Sequence, residues 1–560
     1  MSGAPGPAGK PADYVRVPIS RWQGRSTTLT TGGIVASEHP LASQAGAMVL
    51  AAGGHAVDAA IAANAVMGVV APMMNGVGGD LFAIVHDAAT DAITGINASG
   101  WASERASLDG VRALGFETMP QSGVHSVTVP GAVAGWSALH GRFGRAPWAR
   151  LFDAAIDCAD EGFPVAELTA LEWASMAGIL RRDAQATATF LPGGVAPACG
   201  SRFRNPDLAA IYRDIAAHGR DGFYAGTAGA RIVSCLTEQG AAMTADDLTR
   251  FEPEWVSPIS TSYRGWDVYE IPPNSQGVAA LAMLNIAERF PIGTYGPGSA
   301  DALHVLIEAK KLAFADMRRY VGDPRFSRIP VDEMLSKDYA AARAALIDPR
   351  RAATGATAGI LPTHGGDTTY LCTVDAQGNV CSLIQSNFAN FGSGVVPRGC
   401  GFVLQSRGGL FSLDPTHPNA LAPRKRPLQT VIPALMRRGP LTIGFGVMGG
   451  WNQPQAHAQV VSNIVDHGYS IQEAIEAPRF AKLTFDGTDV MIESRVSESA
   501  RLDLASRGHA IDLQGPFSSM MGGGQAVAHD ASSGVNLGAS DPRKDGAALP
   551  EPPASQRARQ

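Results

Sequence analysis

Gly365-Gly366-Asp367-Thr368-Thr369-Tyr370 lies about two thirds of the way along the chain and opens a strand-like run, Thr368–Val374. Cutting the Asp367–Thr368 bond would make Thr368 a new N-terminus, with a hydroxyl and an α-amine on one residue. A Thr hydroxyl alone is a poor nucleophile at neutral pH, because nothing removes its proton. A free α-amine, with a pKa of about 8, can accept that proton directly or through a water. Taken alone, a hexapeptide of this kind is more often a polar, Gly-rich turn ahead of a strand. The rest of the chain decides between the two readings.

With 45% hydrophobic and 17% charged residues and a net charge of −6, the 560 residues read as a soluble globular protein with ample length for a large core. The mild acidity gives no support for nucleic-acid binding. The single basic cluster, Arg424-Lys425-Arg426, is flanked by Pro423 and Pro427 and reads as a local structural feature. The six cysteines (158, 199, 235, 372, 381 and 400) form no CxxC pair, and no His spacing suggests a zinc site. Such sparse use predicts buried free thiols in a reducing compartment. The N-terminus has no apolar signal region, and the apolar stretch Ala56–Pro72 carries Asp58 and Asn64 and is too short to span a bilayer. These features together predict a cytoplasmic protein.

Residues 1–30 read as a flexible lead-in and Gly33–Ser37 as a first strand. Helices are expected over 41–52 and 56–70, the second rich in alanine and able to pack closely on a sheet. Asn75-Gly76-Val77-Gly78-Gly79-Asp80 leads into a strand at 81–86, and a hairpin returns along 92–97. The middle is mostly helical, with 131–143, 148–161, 207–217, 225–238 and 300–320 carrying helix-like patterns. Residues 351–367 read as a mobile linker. After Thr368 strands dominate: 368–374 and 380–386 flank a hairpin turn, with more at 401–405, 430–437 and 441–447. Helices at about 454–467 and 471–477 and closing strands at 525–529 and 535–539 follow. The polar, Pro-rich tail from about Arg543 reads as disordered. Strands, two helices and strands again fit helices stacked on a β-sandwich.

Eight ordered motifs resemble the γ-glutamyltransferase family. They are Gly53–Ala60, Asn75–Asp80, Val129-Pro130-Gly131, Asp367-Thr368-Thr369, Lys425-Arg426-Pro427, Gly449-Gly450, Ala477-Pro478-Arg479-Phe480 and Gly538–Arg543. The resemblance implies an α+β fold, the four-layer αββα sandwich of N-terminal nucleophile hydrolases. It also implies one precursor that cleaves itself into a large subunit ending at Asp367 and a small subunit, 368–560. Thr368 is then the nucleophile for both cleavage and turnover. Ser386 lies where the family has a Thr that hydrogen-bonds the nucleophile. Gly449 and Gly450 lie where a glycine pair offers N–H groups to an oxyanion. Thr369 is either a neighbour of the substrate or a strand packing residue.

The glutamyl pocket departs from the family pattern. The Arg that takes the substrate α-carboxylate is replaced at about Ser99. No acid follows Gly401-Phe402-Val403-Leu404 to take the α-amine, and the family's Ser pair is Gln429-Thr430 here. The stretches around Gln385–Phe388, Gly392–Pro397 and Arg407-Gly408-Gly409 look more like oxamate amidohydrolase and the cephalosporin (glutaryl) acylases. Arg407 and Asn387 are candidate ligands for a carboxylate or amide. The resemblance thus implies an amidohydrolase acting through an acyl-threonine, with a small amide acid such as oxamate favoured. A γ-glutamyl substrate, with hydrolysis or transfer, comes second, and an acyl group on a β-lactam nucleus third. An uncleaved, non-catalytic member is a further alternative. No cofactor or metal is implied. The partners implied are a small-molecule amide and the two subunits of one precursor, with a higher oligomer compatible and neither nucleic acid nor membrane expected.

Overall fold

The computed structural model describes residues 23–355 and 367–553. Two antiparallel sheets of seven strands each form its centre. In the first, the strands run in the order Thr28–Thr30, Val535–Ser540, Gly524–Asp530, Leu441–Val447, Ala434–Arg438, Trp266–Glu270 and Ile259–Tyr263. In the second the order is Ala547–Pro550, Ile34–Ser37, Asp367–Val374, Val380–Phe388, Asp80–Asp87, Ala92–Ala98 and Glu254–Val256. The strand led by Thr368 is therefore central, with partners on both sides. Strands buried on both faces read as continuous apolar runs rather than alternating ones, and Val380–Phe388 is buried along its whole length.

The sheets face one another, with Asp367–Val374 packing against Leu441–Val447 and Gly524–Asp530. Helices cover the outer faces. Ala56–Val70 lies on the second sheet, wholly buried among small side chains. Gly277–Ala287 and Gln453–Val465 lie on the first, backed by Ala300–Tyr320. His39 and His55 accept from the first turns of the helices they precede, and Asp58 completes a capping box with His55. The early histidines thus serve as helix caps.

Several expectations are corrected. Residues 28–30 pair with Asn536–Gly538, so only 1–22 of the expected lead-in lie outside the described residues. The tail is ordered well past Arg543. Arg543 is buried among two carboxylates, and Ala547–Pro550 pairs with Ile34–Ser37 as an edge strand. A polar composition misleads there because the charges are paired inside the protein rather than solvated. No strand forms at 401–405, where the chain makes single bonds to Val395, Ser393 and Gly78. The strand expected from 430 begins at Ala434, because 429–432 spend their backbone on side chains and loops. All six cysteines are free. Three are buried, whereas Cys158 and Cys235 are half-buried and Cys199 is exposed. Most of the expected linker, including His364, lies outside the described residues. No helix among the described residues is long and apolar enough to cross a membrane.

Candidate active site

Thr368 is 1% exposed and sits where the sheet register breaks. Asp367 pairs with Phe388 and Thr369 with Gln385, so Thr368 alone faces the two residues Ser386 and Asn387. A bulge of this kind re-aims a side chain and ends regular pairing. The Thr368 hydroxyl donates to Ser386 Oγ at 3.2 Å, and the Phe388 N–H donates to the same oxygen at 2.8 Å. Phe388 holds φ at +76°, a conformation a bulky side chain rarely adopts. On the other side, the Tyr370 N–H donates to Glu38 Oε1 at 3.0 Å, beyond the last pair of the neighbouring strand.

Gly449 and Gly450 lie at the same end of the sandwich. Val380, which pairs with Val374, packs over Gly444, and the Tyr370 ring lies over Gly446. Moving from 444 to 446 in one sheet therefore runs back along the nucleophile strand from 374 toward 370. The residues that follow, at about 3.3 Å each, carry the chain to the Thr368 end. Gly449 has φ +125° and Gly450 +57°, which glycine adopts without steric cost. Among the described residues neither N–H has an acceptor, while both carbonyls are used. Gln276 Nε2 donates to the carbonyls of Gly450 and Thr430 and so ties the turn to its neighbour. The strand entering the turn is fixed by His457. Its Nε2 accepts from the Val447 N–H, which sets the tautomer, and Nδ1–H donates to Glu270 at 2.8 Å. Burial pushes the Glu270 carboxyl up, opposed by His457.

The expected substrate ligands divide into two groups. Arg407 is fully buried. Its Nε donates to Asp80 Oδ2 at 2.7 Å and its Nη1 to Thr430 Oγ1 at 2.6 Å, and the guanidinium lies 4.8 Å from the Phe388 ring centre. Burial pushes the Asp80 carboxyl up and the Arg407 guanidinium down, and each charge opposes the other's shift. Asp80 pairs directly with Ser386 across the sheet. Cross-strand partners share a face, so Thr368, Ser386, Asp80, Arg407 and Thr430 form one row. Asn387 follows Ser386 on the strand and so turns to the opposite face, its N–H donating to Met74 O and its Nδ2 to Pro72 O. Gln429 lies by Asp80, short of hydrogen-bond geometry. Ser99 Oγ accepts from Asn274 and its carbonyl from Arg426, in a buried network that also holds Asn97 and Pro427. Thr369 is buried with an unpaired Oγ1.

Asp80 escaped the sequence reading as a site residue, although it ends the Gly-rich loop. Only the register against Ser386 reveals its place. Buried polar atoms are nearly always paired, yet several here are not: Asp80 Oδ1, Asn387 Oδ1, Ser406 Oγ, Arg407 Nη2 and both polar atoms of Gln429. A cleft of about 670 Å³ opens beside them, lined by Phe388, Leu410, Leu428 and Trp451 and by Phe116 and Met119. Away from this site, His304, Glu308 and His509 bring three potential metal-ligand atoms within 4.8 Å. Their atoms already serve one another and the protein: His304 Nδ1 meets His509 Nε2 at 2.8 Å, and Lys311 Nζ donates to Glu308 at 2.6 Å.

The model of the family described as Gamma-glutamyltranspeptidase matches residues 42–551, and the chain belongs to that family. It is 37% identical over 532 residues to the Glutathione hydrolase-like YwrD proenzyme of Bacillus subtilis (strain 168), covering 93% of this chain and 99% of the relative. It is 35% identical to the Oxamate amidohydrolase proenzyme of Klebsiella pneumoniae, with 93% and 99% covered. Among solved structures, cephalosporin acylase from Bacillus halodurans superimposes with a TM-score of 0.89 at 38% identity, covering 96% of this chain and 99% of that one.

Proposed function

We propose that the protein is an autoprocessing amidohydrolase whose nucleophile is Thr368, freed by cleavage of the Asp367–Thr368 bond, on an N-terminal nucleophile sandwich. The hydrogen bond from the Thr368 hydroxyl to Ser386 Oγ, at the head of a central strand, carries this reading. Peptide cleavage leaves the Thr368 α-amine on the same residue as Oγ1, where it serves as the base. Oγ1 attacks the amide carbonyl, and the α-amine takes its proton. The N–H groups of Gly449 and Gly450 stabilise the oxyanion, and the turn is held in place by Gln276 and His457. The α-amine returns the proton to the leaving amine, and water then hydrolyses the acyl-threonine ester. The protein thus needs no donor outside its own chain for these steps.

Loss of the glutamyl anchors at Ser99 and after Leu404 supports a small acyl group of the oxamate type over a γ-glutamyl group. The presence of an oxamate amidohydrolase among the relatives supports the same choice. Quenching a reaction with a small acyl amide and mapping the adduct tests the reading. One acyl group is expected, on Thr368 alone. An adduct on another residue, or turnover without any, contradicts it. Ser386→Ala is expected to lower kcat by about 10- to 100-fold with KM little changed, since it removes an acceptor that orients the nucleophile and not a substrate contact.

A further inference from the structure

We propose that the cleft beside Thr368 is a subsite for the leaving amine, and that it selects amides whose nitrogen carries an aryl group on a short apolar chain. The inference rests on Thr368 being the nucleophile and on the small acyl group proposed above. It adds the other half of the substrate.

Size comes first. The cleft measures about 670 Å³, and pockets of about 300–1,000 Å³ take drug-sized molecules. A two-carbon acyl unit held against Thr368 leaves nearly all of that space to the group on the amide nitrogen. Phe388 and Trp451 fix where the cleft begins. The Phe388 N–H donates to Ser386 Oγ, the acceptor of the Thr368 hydroxyl. Trp451 directly follows Gly450 of the oxyanion turn. The Phe388 ring also covers the Arg407 guanidinium, 4.8 Å from the ring centre, and so stands between the polar row and the cleft. A scissile amide lying across Phe388 has its acyl side toward Arg407 and its nitrogen toward the cleft.

The lining is graded. Phe388, Leu428 and Trp451 are buried and come from the chain after the Asp367–Thr368 bond. Buried Met119 and half-buried Phe116 face them from the chain before it. The charged side chains that line the cleft, Arg112, Glu117 and Asp414, are all exposed at its rim. Arg112 Nη2 donates to Leu413 O at 2.7 Å, and Asp414 Oδ1 accepts from the Thr416 N–H and hydroxyl. A charged substituent therefore finds no buried partner on the floor, whereas an aryl ring meets aromatic faces and edges. The walls are formed in advance. Gln121 Nε2 donates to Met119 O at 3.1 Å and to Gly409 O at 2.8 Å, which ties one wall to the other. The Trp451 ring is braced edge-on by Phe485, with centres 5.3 Å apart. A rigid apolar site of this kind binds without a large ordering cost.

N-Propyl oxamate and N-phenylpropyl oxamate share one acyl group, release amines of similar basicity and differ in what enters the cleft. With each, Thr368 Oγ1 forms the C–O bond as the C–N bond breaks. The Oγ1 proton passes through the α-amine to the leaving nitrogen. Water then hydrolyses the ester and frees oxalate. With the cleaved wild-type protein, kcat/KM read by oxalate release is expected to favour the phenylpropyl compound by at least about tenfold, the effect of burying one ring. Phe116→Ala is expected to cut that preference at least about threefold. Equal rates, a preference for the propyl compound, or a preference unchanged in Phe116→Ala overturns the proposal. Turnover of oxamate but of neither N-substituted compound overturns it too. Failure of the underlying reading looks different, as an uncut chain or no turnover of oxamate either. Binding of N-phenylpropyl acetamide, followed by ligand-observed NMR, tests the cleft without turnover. Binding that weakens in Phe116→Ala supports the proposal, whereas no binding, or equal binding by both proteins, overturns it.

Discussion

Replacing Thr368 with Ala is expected to leave one uncut chain and to lower amide hydrolysis by at least about 10⁴-fold, measured by product release from the purified protein. Two losses combine. The variant has no hydroxyl to attack the Asp367–Thr368 carbonyl, so no new N-terminus forms. It has no nucleophile for a substrate either. Thr368→Ser separates the hydroxyl from the methyl group. Serine retains an Oγ that can reach Ser386 Oγ, now 3.2 Å from Thr368 Oγ1, and it carries its own α-amine after cleavage. Cleavage and turnover are expected to persist there at reduced rates. Full activity in Thr368→Ala would mean that the reacting group lies elsewhere.

The largest expected effect on stability comes from the region read as a disordered tail. Arg543 Nε and Nη2 form a two-pronged bond to Glu493, at 2.7 and 2.6 Å, and Nη1 reaches Asp541 at 3.0 Å. Arg479 holds the other oxygen of Asp541 at 2.7 Å. All four side chains are buried. Burial alone would push the Asp541 carboxyl up, but Arg479 and Arg543 more than offset it and hold it below the usual range. Arg543 also donates to the carbonyls of Ile475 and Ala477, so it joins the end of one helix to the closing strands. Arg543→Met removes a cation and leaves Glu493 short of its main partner. Breaking a buried pair from one side costs about 3–5 kcal/mol. The denaturation midpoint of Arg543→Met is therefore expected to fall sharply against the parent, both measured in the uncut Thr368→Ala chain so that one polypeptide unfolds. A shift corresponding to less than about 1 kcal/mol would show that solvent reaches this cluster.

Much of the fold was legible in local pattern. The alanine-rich stretch at 56–70, the hairpin through 375–379 and the paired strands that follow Thr368 all fall where periodicity and turn residues placed them. What local pattern missed depends on long-range pairing. Ala547–Pro550 looks like a polar tail and is an edge strand because Ile34–Ser37 offers it a partner more than 500 residues away. Gly401–Gln405 looks like a strand and is not, because its backbone is spent on three different neighbours. The site shows the same division. Thr368, Ser386 and the glycine pair are proposed from motifs. Asp80 could not be, since its place depends on the register that sets it opposite Ser386 and on an ion pair with an arginine 327 positions later. Ser99, singled out by an aligned motif, hydrogen-bonds within the Asn97–Asn274–Arg426 network, and the pairing of Leu81 with Ala98 brings it level with Asp80.

Denaturing mass spectrometry of the purified wild-type protein tests the central claim most directly. The account predicts two chains, residues 1–367 and 368–560, the second with an unblocked threonine at its N-terminus. A single 58.2 kDa chain that stays whole on prolonged incubation, or a cut at any other bond, would contradict it.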